Sequence, residues 1–81
     1  MKILKLYSTL GCHLCEHALA MVVPIAKAYD FQVREIEISD SNDLIQKYGV
    51  VIPVLEWPEA NKSLHWPFSA EDVQELLAEN L

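Results

Sequence analysis

The stretch Thr9-Leu10-Gly11-Cys12-His13-Leu14-Cys15 constrains the fold of this chain more than any other. It joins a nearly continuous apolar run, Ile3-Leu4-Lys5-Leu6-Tyr7, to a pattern of helical period, and it holds the only two cysteines. A helix start leaves backbone N–H groups without intrahelical partners and carries the positive end of the dipole, so it favours an anion. A thiolate is such an anion, and it is the reactive form of cysteine. Cys12, at the start of the helix, therefore reads as an attacking thiol. Cys15, one turn later, is placed to attack a mixed disulfide formed at Cys12.

Residues 2–8 read as a buried strand because their apolar positions are almost unbroken. Residues 12–29 read as one helix: Cys15, Ala18, Leu19, Val22, Ile25, Ala26 and Tyr29 recur at three- and four-residue spacing and form one apolar stripe. Pro24 lies inside that stripe and removes the N–H that would bond the Ala20 carbonyl, so a kink is expected, with a break at Val23 as the alternative. Residues 31–38, rich in β-branched and aromatic side chains, read as a second strand, parallel to the first through a right-handed crossover. Asp40-Ser41-Asn42-Asp43 is a cluster of capping residues before a short helix through Leu44, Ile45 and Tyr48, which Gly49 is expected to stop in a left-handed conformation. Pro53–Trp57 and Lys62–Trp66 read as an antiparallel hairpin about the turn Pro58-Glu59-Ala60-Asn61. Ser69 is the expected N-cap of the last helix, with Glu71 and Asp72 favourable in its first turn. Val73, Leu76, Leu77 and Leu81 are expected to face the core. The order βαβαββα gives an α/β fold, a sheet covered on both faces by helices.

Length and charge narrow the function. Eighty-one residues make one domain, 1–81, with a modest core. A formal net charge of −6 argues against nucleic acid, whose phosphates need cationic contacts. Two cysteines at this spacing do not make a secreted disulfide scaffold. The start lacks the apolar run and cleavage site of a signal peptide. No segment reaches the roughly 20 apolar residues of a membrane span. These features point to a cytoplasmic protein that engages neither nucleic acid nor membrane.

Gly11-Cys12-His13-Leu14-Cys15 after a first strand, followed by Tyr48-Gly49-Val50-Val51-Ile52-Pro53-Val54-Leu55, resembles the glutaredoxin-like branch of the thioredoxin superfamily. Trp66-Pro67-Phe68 before the last helix resembles a small group of bacterial glutaredoxin-like proteins. The resemblance covers nearly the whole chain. It implies a thioredoxin-like, four-stranded mixed sheet with the first strand central and the cysteines at that strand's C-terminal end, where ligands of open α/β sheets bind. It also implies a cis Ile52-Pro53 bond facing the cysteines, whereas local sequence alone favours a trans proline opening a strand.

On this reading Cys12 and Cys15 are the catalytic pair of a thiol–disulfide oxidoreductase. His13, when protonated, would stabilise the Cys12 thiolate, and Glu16, four residues after Cys12, would oppose it. Ile52 and Pro53 would pair with an extended substrate as an added strand. Trp66 and Phe68, with Leu10 and Ile52, would form an apolar rim, or else pack in the core. Ser69, at the start of the last helix, could hold a carboxylate. Glutaredoxins resembling this chain often carry a cation before the first cysteine, another before the cis-proline and a Gly-Gly pair before the last helix. Here those places hold Thr9, Val50-Val51 and Trp66-Pro67, which weighs against glutathione binding. The expectation is therefore no cofactor beyond the redox-active disulfide. Expected partners are a protein disulfide or small thiol substrate and an electron donor of the thioredoxin-reductase type, and the expected state is a monomer. A rival reading is a non-catalytic binding module presenting the same surface. A zinc site is weaker, because at roughly 100° per residue His13 and His17 lie on a different side of the helix from the cysteines.

Overall fold

The computed structural model describes residues 2–79. Seven regular elements follow in chain order: β1 (Lys2–Ser8), α1 (His13–Ala28), β2 (Phe31–Glu37), α2 (Asn42–Tyr48), β3 (Val54–Trp57), β4 (Lys62–His65) and α3 (Ala70–Ala78). The strands form one mixed sheet in the order β2-β1-β3-β4. β1 runs parallel to β2, from Lys2 opposite Phe31 to Ser8 opposite Glu37. It runs antiparallel to β3, with Leu6 opposite Leu55, and β3 and β4 form the expected hairpin.

Strand alternation divides the interior into two cores, one on each face of the sheet. Leu4, Leu6, Phe31, Leu55 and Trp57 point to one face, where Ala18, Val22 and Ala26 of α1 and Val73, Leu76 and Leu77 of α3 close over them. Tyr7 and Val54 point to the other, where Ile38 and Tyr48 meet them beneath α2. The Tyr7 and Tyr48 rings stack with centroids 4.1 Å apart. Tyr7 also donates its hydroxyl hydrogen to Glu56 Oε1 at 2.7 Å, and burial followed by this bond raises its phenol above the ordinary tyrosine value. The nearly unbroken apolar run of β1 thus serves both cores, its alternate side chains facing opposite sides of the sheet.

Some local features agree with expectation and others depart from it. α1 continues through Pro24 as one helix, without a break at Val23. Ala20, Val23 and Pro24 are all exposed, so the carbonyl that Pro24 leaves unbonded can be solvated. Gly49 caps α2 in the right-handed region, at φ −53°, and not in the left-handed one. A Cβ at this position would collide with the Ile45 carbonyl oxygen, which accepts the Gly49 N–H at 2.8 Å, so close backbone approach explains the glycine. Among the described residues other than glycine, those with positive φ are Asp30, which reverses the chain after α1, and Asn61, at the β3–β4 turn. β4 ends at His65, one residue earlier than read, and Trp66-Pro67 is a second cis peptide bond. Ser69 caps α3 in a reciprocal capping box with Asp72. Of the residues expected to face the core from α3, Val73, Leu76 and Leu77 are buried, and Leu81 lies outside the described residues.

Candidate functional site

The C-terminal end of β1 leads into a tight turn in which the Cys12 N–H donates to the Thr9 carbonyl at 3.2 Å. Gly11, the third residue of that turn, has φ +80°. Nothing lies within 4 Å of where its Cβ would be, so the backbone angle, not lack of space, selects glycine. Cys12 is then the N-cap of α1: its sulfur accepts the Cys15 N–H at 3.1 Å, and its carbonyl accepts the Glu16 N–H. A side chain that takes a free amide of the first turn is ordinarily a serine, threonine or aspartate; here the acceptor is sulfur.

Cys12 and Cys15 are joined as a disulfide with Cα atoms 5.2 Å apart. Their surroundings differ. Cys12 is half-buried, whereas Cys15, on the apolar stripe of α1, is only 2% exposed. One sulfur is reachable from solvent and the other chiefly through its partner.

The remaining expected site residues fall into two groups. His13 and Glu16 are both well exposed, and their side chains pair with each other, Nδ1 to Oε2 at 3.5 Å. Ile52 is half-buried and Pro53 fully buried, and the bond between them is cis. The Pro53 carbonyl accepts the Trp66 N–H at 3.3 Å, which ties the proline loop to the segment before α3. Trp66 is half-buried, edge-on to Phe68. Phe68 does not form a rim: it is buried in the core cluster with residues of the sheet, α1 and α3. Ser69 is exposed, but its N–H already donates to Asp72 Oδ2 at 2.9 Å. An incoming carboxylate at the start of α3 would meet that of Asp72. Among the described residues no three His, Cys, Asp or Glu side chains converge in a way that could hold a metal ion.

Two residues not singled out from the sequence organise the turn. Glu37, at the end of β2, accepts the Leu10 N–H on Oε1 and the Ser39 N–H on Oε2, each at 3.0 Å. The Ser39 amide first, then the Thr9 hydroxyl and the Leu10 amide, hold its carboxyl below the usual glutamate value. Glu35, two residues earlier on the same face of the strand, accepts the hydroxyl of buried Ser8 at 2.9 Å. The parallel register places Ser8 beside Glu37, so residues nearly thirty positions apart meet at the cysteine turn. Two glutamates at i and i+2 on a strand packed against the first were the available signal.

A cavity of about 470 Å³ opens here, lined by residues 8–12, Cys15, Glu16, Glu35, Glu37 and Asp40. It gives access to the disulfide from the β2 side. On the β3 side, Val50 (98% exposed) and Val51 extend from the proline loop, and Leu10 (91% exposed) stands on the cysteine turn. The arrangement can expose a nucleophilic sulfur at a helix start, with a second sulfur beneath it, between a cavity and an apolar loop.

A family model described as Glutaredoxin-like domain (DUF836) matches residues 3–78. Northeast Structural Genomics target protein XcR50 from X. campestris has a similar fold and 33% sequence identity. Its X-ray structure superposes with a TM-score of 0.80, covering 94% of this chain and 96% of that one. Its solution structure gives a TM-score of 0.79, covering 98% and 95%. No curated protein matches the chain significantly.

Proposed function

The chain belongs to the glutaredoxin-like domain family, and on that premise we propose that it is a small thiol–disulfide oxidoreductase. The observation that carries the reading is the unequal burial of a Cys12–Cys15 disulfide at the start of α1. In the reduced protein the Cys12 thiolate attacks a substrate disulfide; one substrate sulfur leaves as a thiol and the other stays joined to Cys12. Cys15 then attacks the Cys12 sulfur, expels the second substrate thiol and restores the protein disulfide. Two electrons pass from protein to substrate in each cycle.

The preferred substrate is a protein disulfide, not glutathione. An extended segment would lie along Ile52 and Pro53 beside exposed Val50 and Val51, adding its backbone to the proline loop. The carboxylate of Asp72 already takes the amide at the start of α3, and the cavity beside the cysteines is acidic. Electrons would return from a donor of the thioredoxin-reductase type. The proposed setting is a reducing cytoplasm, where a dithiol pair can be regenerated, and the proposed state is a monomer. No helix among the described residues is long and apolar enough to cross a membrane.

The test is a pair of variants. Cys12→Ser should abolish insulin-disulfide reduction, whereas Cys15→Ser should accumulate a covalent adduct with the substrate, visible by mass spectrometry without reductant. Equal alkylation of the two cysteines in the folded, reduced protein would overturn the assigned roles. Wild-type turnover no faster than that of Cys12→Ser would overturn the function.

A further inference from the structure

The disulfide lies between two unlike flanks. β1 ends at the cysteine turn, with β2 on one side of it and β3 on the other. Toward β2, the cavity at Cys12 and Cys15 is lined by four carboxylates, those of Glu16, Glu35, Glu37 and Asp40, and, among the described residues, by no cation. Toward β3 stand the apolar side chains of Val50, Val51 and Ile52. Two of the carboxylates are fixed in place: Glu35 by the Ser8 hydroxyl, and Glu37 by the amides of Leu10 and Ser39. His13 offers Glu16 a partner, but its side chain stands out in solvent and does not line the cavity. The β2 side of the disulfide is thus lined by negative charge, half of it held by hydrogen bonds, while the loop before β3 offers apolar side chains.

We propose that this site selects disulfides carrying a positive charge beside the reacting sulfur, in a protein substrate a Lys or Arg next to the cysteine. The inference rests on the thiol–disulfide reading above and adds to it the class of substrate. A cation beside the sulfur fits the β2-side cavity while the apolar remainder of the segment runs along the proline loop. A carboxylate in the same place meets four like charges. Charge of one sign in a cleft alters association rates by about ten- to a thousandfold, and salt suppresses the effect. The chemistry is unchanged: the Cys12 thiolate forms a bond to the substrate sulfur, the old S–S bond breaks, and Cys15 completes the exchange. An external dithiol regenerates the reduced pair.

The experiment uses the full chain reduced with dithiothreitol and freed of excess reductant. Its substrates are three peptides, each with one cysteine held as a mixed disulfide with 2-mercaptoethanol and flanked by lysines, glutamines or glutamates. Acid-quenched reactions resolved by chromatography give the second-order rate constants. Each is divided by the rate constant of dithiothreitol with the same peptide, which removes intrinsic reactivity. The expected order is lysine, glutamine, glutamate, with about tenfold or more between the extremes at low salt and little difference near 1 M salt. The double variant E16Q/D40N should narrow the spread severalfold. Equal normalised rates in the wild-type protein, or a spread that high salt leaves intact, would overturn the selectivity while leaving the oxidoreductase reading in place. Failure to react with any of the three peptides would overturn both.

Discussion

At the level of single residues, the central fact is a sulfur acting as a helix cap. Cys12 accepts a backbone N–H from the first turn of α1, and this contact favours a negative sulfur once the disulfide is reduced. The Cys12 thiol of the reduced protein should therefore ionise below the free value of roughly 8.5. Iodoacetamide alkylation followed against pH will place the inflection, and an inflection at or above the free value would show that the neighbouring carboxylates outweigh the helix start. His13→Ala should raise it if the imidazolium contributes to the thiolate. Glu37 lends itself to a pH test of a different kind. Its carboxyl ionises more readily in the folded protein, so its contribution is complete above the unfolded glutamate value and is lost as pH falls through the lower folded one. Hydrogen-exchange protection of the Leu10 amide should decline across that acidic window, and Glu37→Gln should reduce it at neutral pH. The cysteine pair at the helix start and the Ser69 cap were legible because their positions depend on near neighbours in sequence. Glu35 and Glu37 were not, because only strand pairing brings them to the turn.

At the level of elements, the apolar stripe of α1, the apolar and β-branched runs of the strands and the capping residues before α2 and α3 identified the four strands and three α-helices, since each buries one stripe or one face. Such patterning does not report which of two physical reasons retains a glycine. Gly11 needs a positive φ and Gly49 needs an absent Cβ, and the two look alike in sequence. Nor does it tell a fully buried aromatic from a half-buried one: Trp66 and Phe68 stand two apart, Phe68 lies within the core, and Trp66 packs against it while partly exposed. Phe68→Ala should cost about 3 to 5 kcal/mol of stability, read from urea unfolding. A loss below about 1 kcal/mol would show that the side chain is not part of the core.

At the level of the whole molecule, charge bears on the proposed choice of substrate. The net charge is −6, and among the described residues no lysine, arginine or histidine lines the cavity beside the cysteines. Glutathione, anionic at both carboxylates, should bind weakly and support little turnover in a glutathione-coupled assay, whereas a thioredoxin-reductase system should support more. Amide shifts recorded during a glutathione titration check this: saturation below about 1 mM, centred on Cys12, Ile52 and Ser69, would correspond to about 4 kcal/mol or more of binding free energy and would contradict it. The architecture was legible because the order of strands and helices along the chain admits few right-handed arrangements. The acidic cavity was not, because it belongs to no single segment: β2, the turn after it, the cysteine loop and α1 each supply part of its wall.

The two indoles lend the molecule an optical property. Trp57 is sealed in the core, edge-on to Phe31, with an indole N–H that meets no partner among the described residues. Trp66 stands partly in water, and its backbone is bonded to Pro53. On ultraviolet excitation the first emits from a dry, rigid enclosure, toward the blue; the second emits from relaxing solvent, toward the red. The red component sits beside the proline on which a bound segment would lie, and the blue component lies within the core beneath α1 and α3. Dimming or shifting of the red alone therefore signals occupancy, while movement of both signals loss of the fold, and the native chain distinguishes the two without an attached dye.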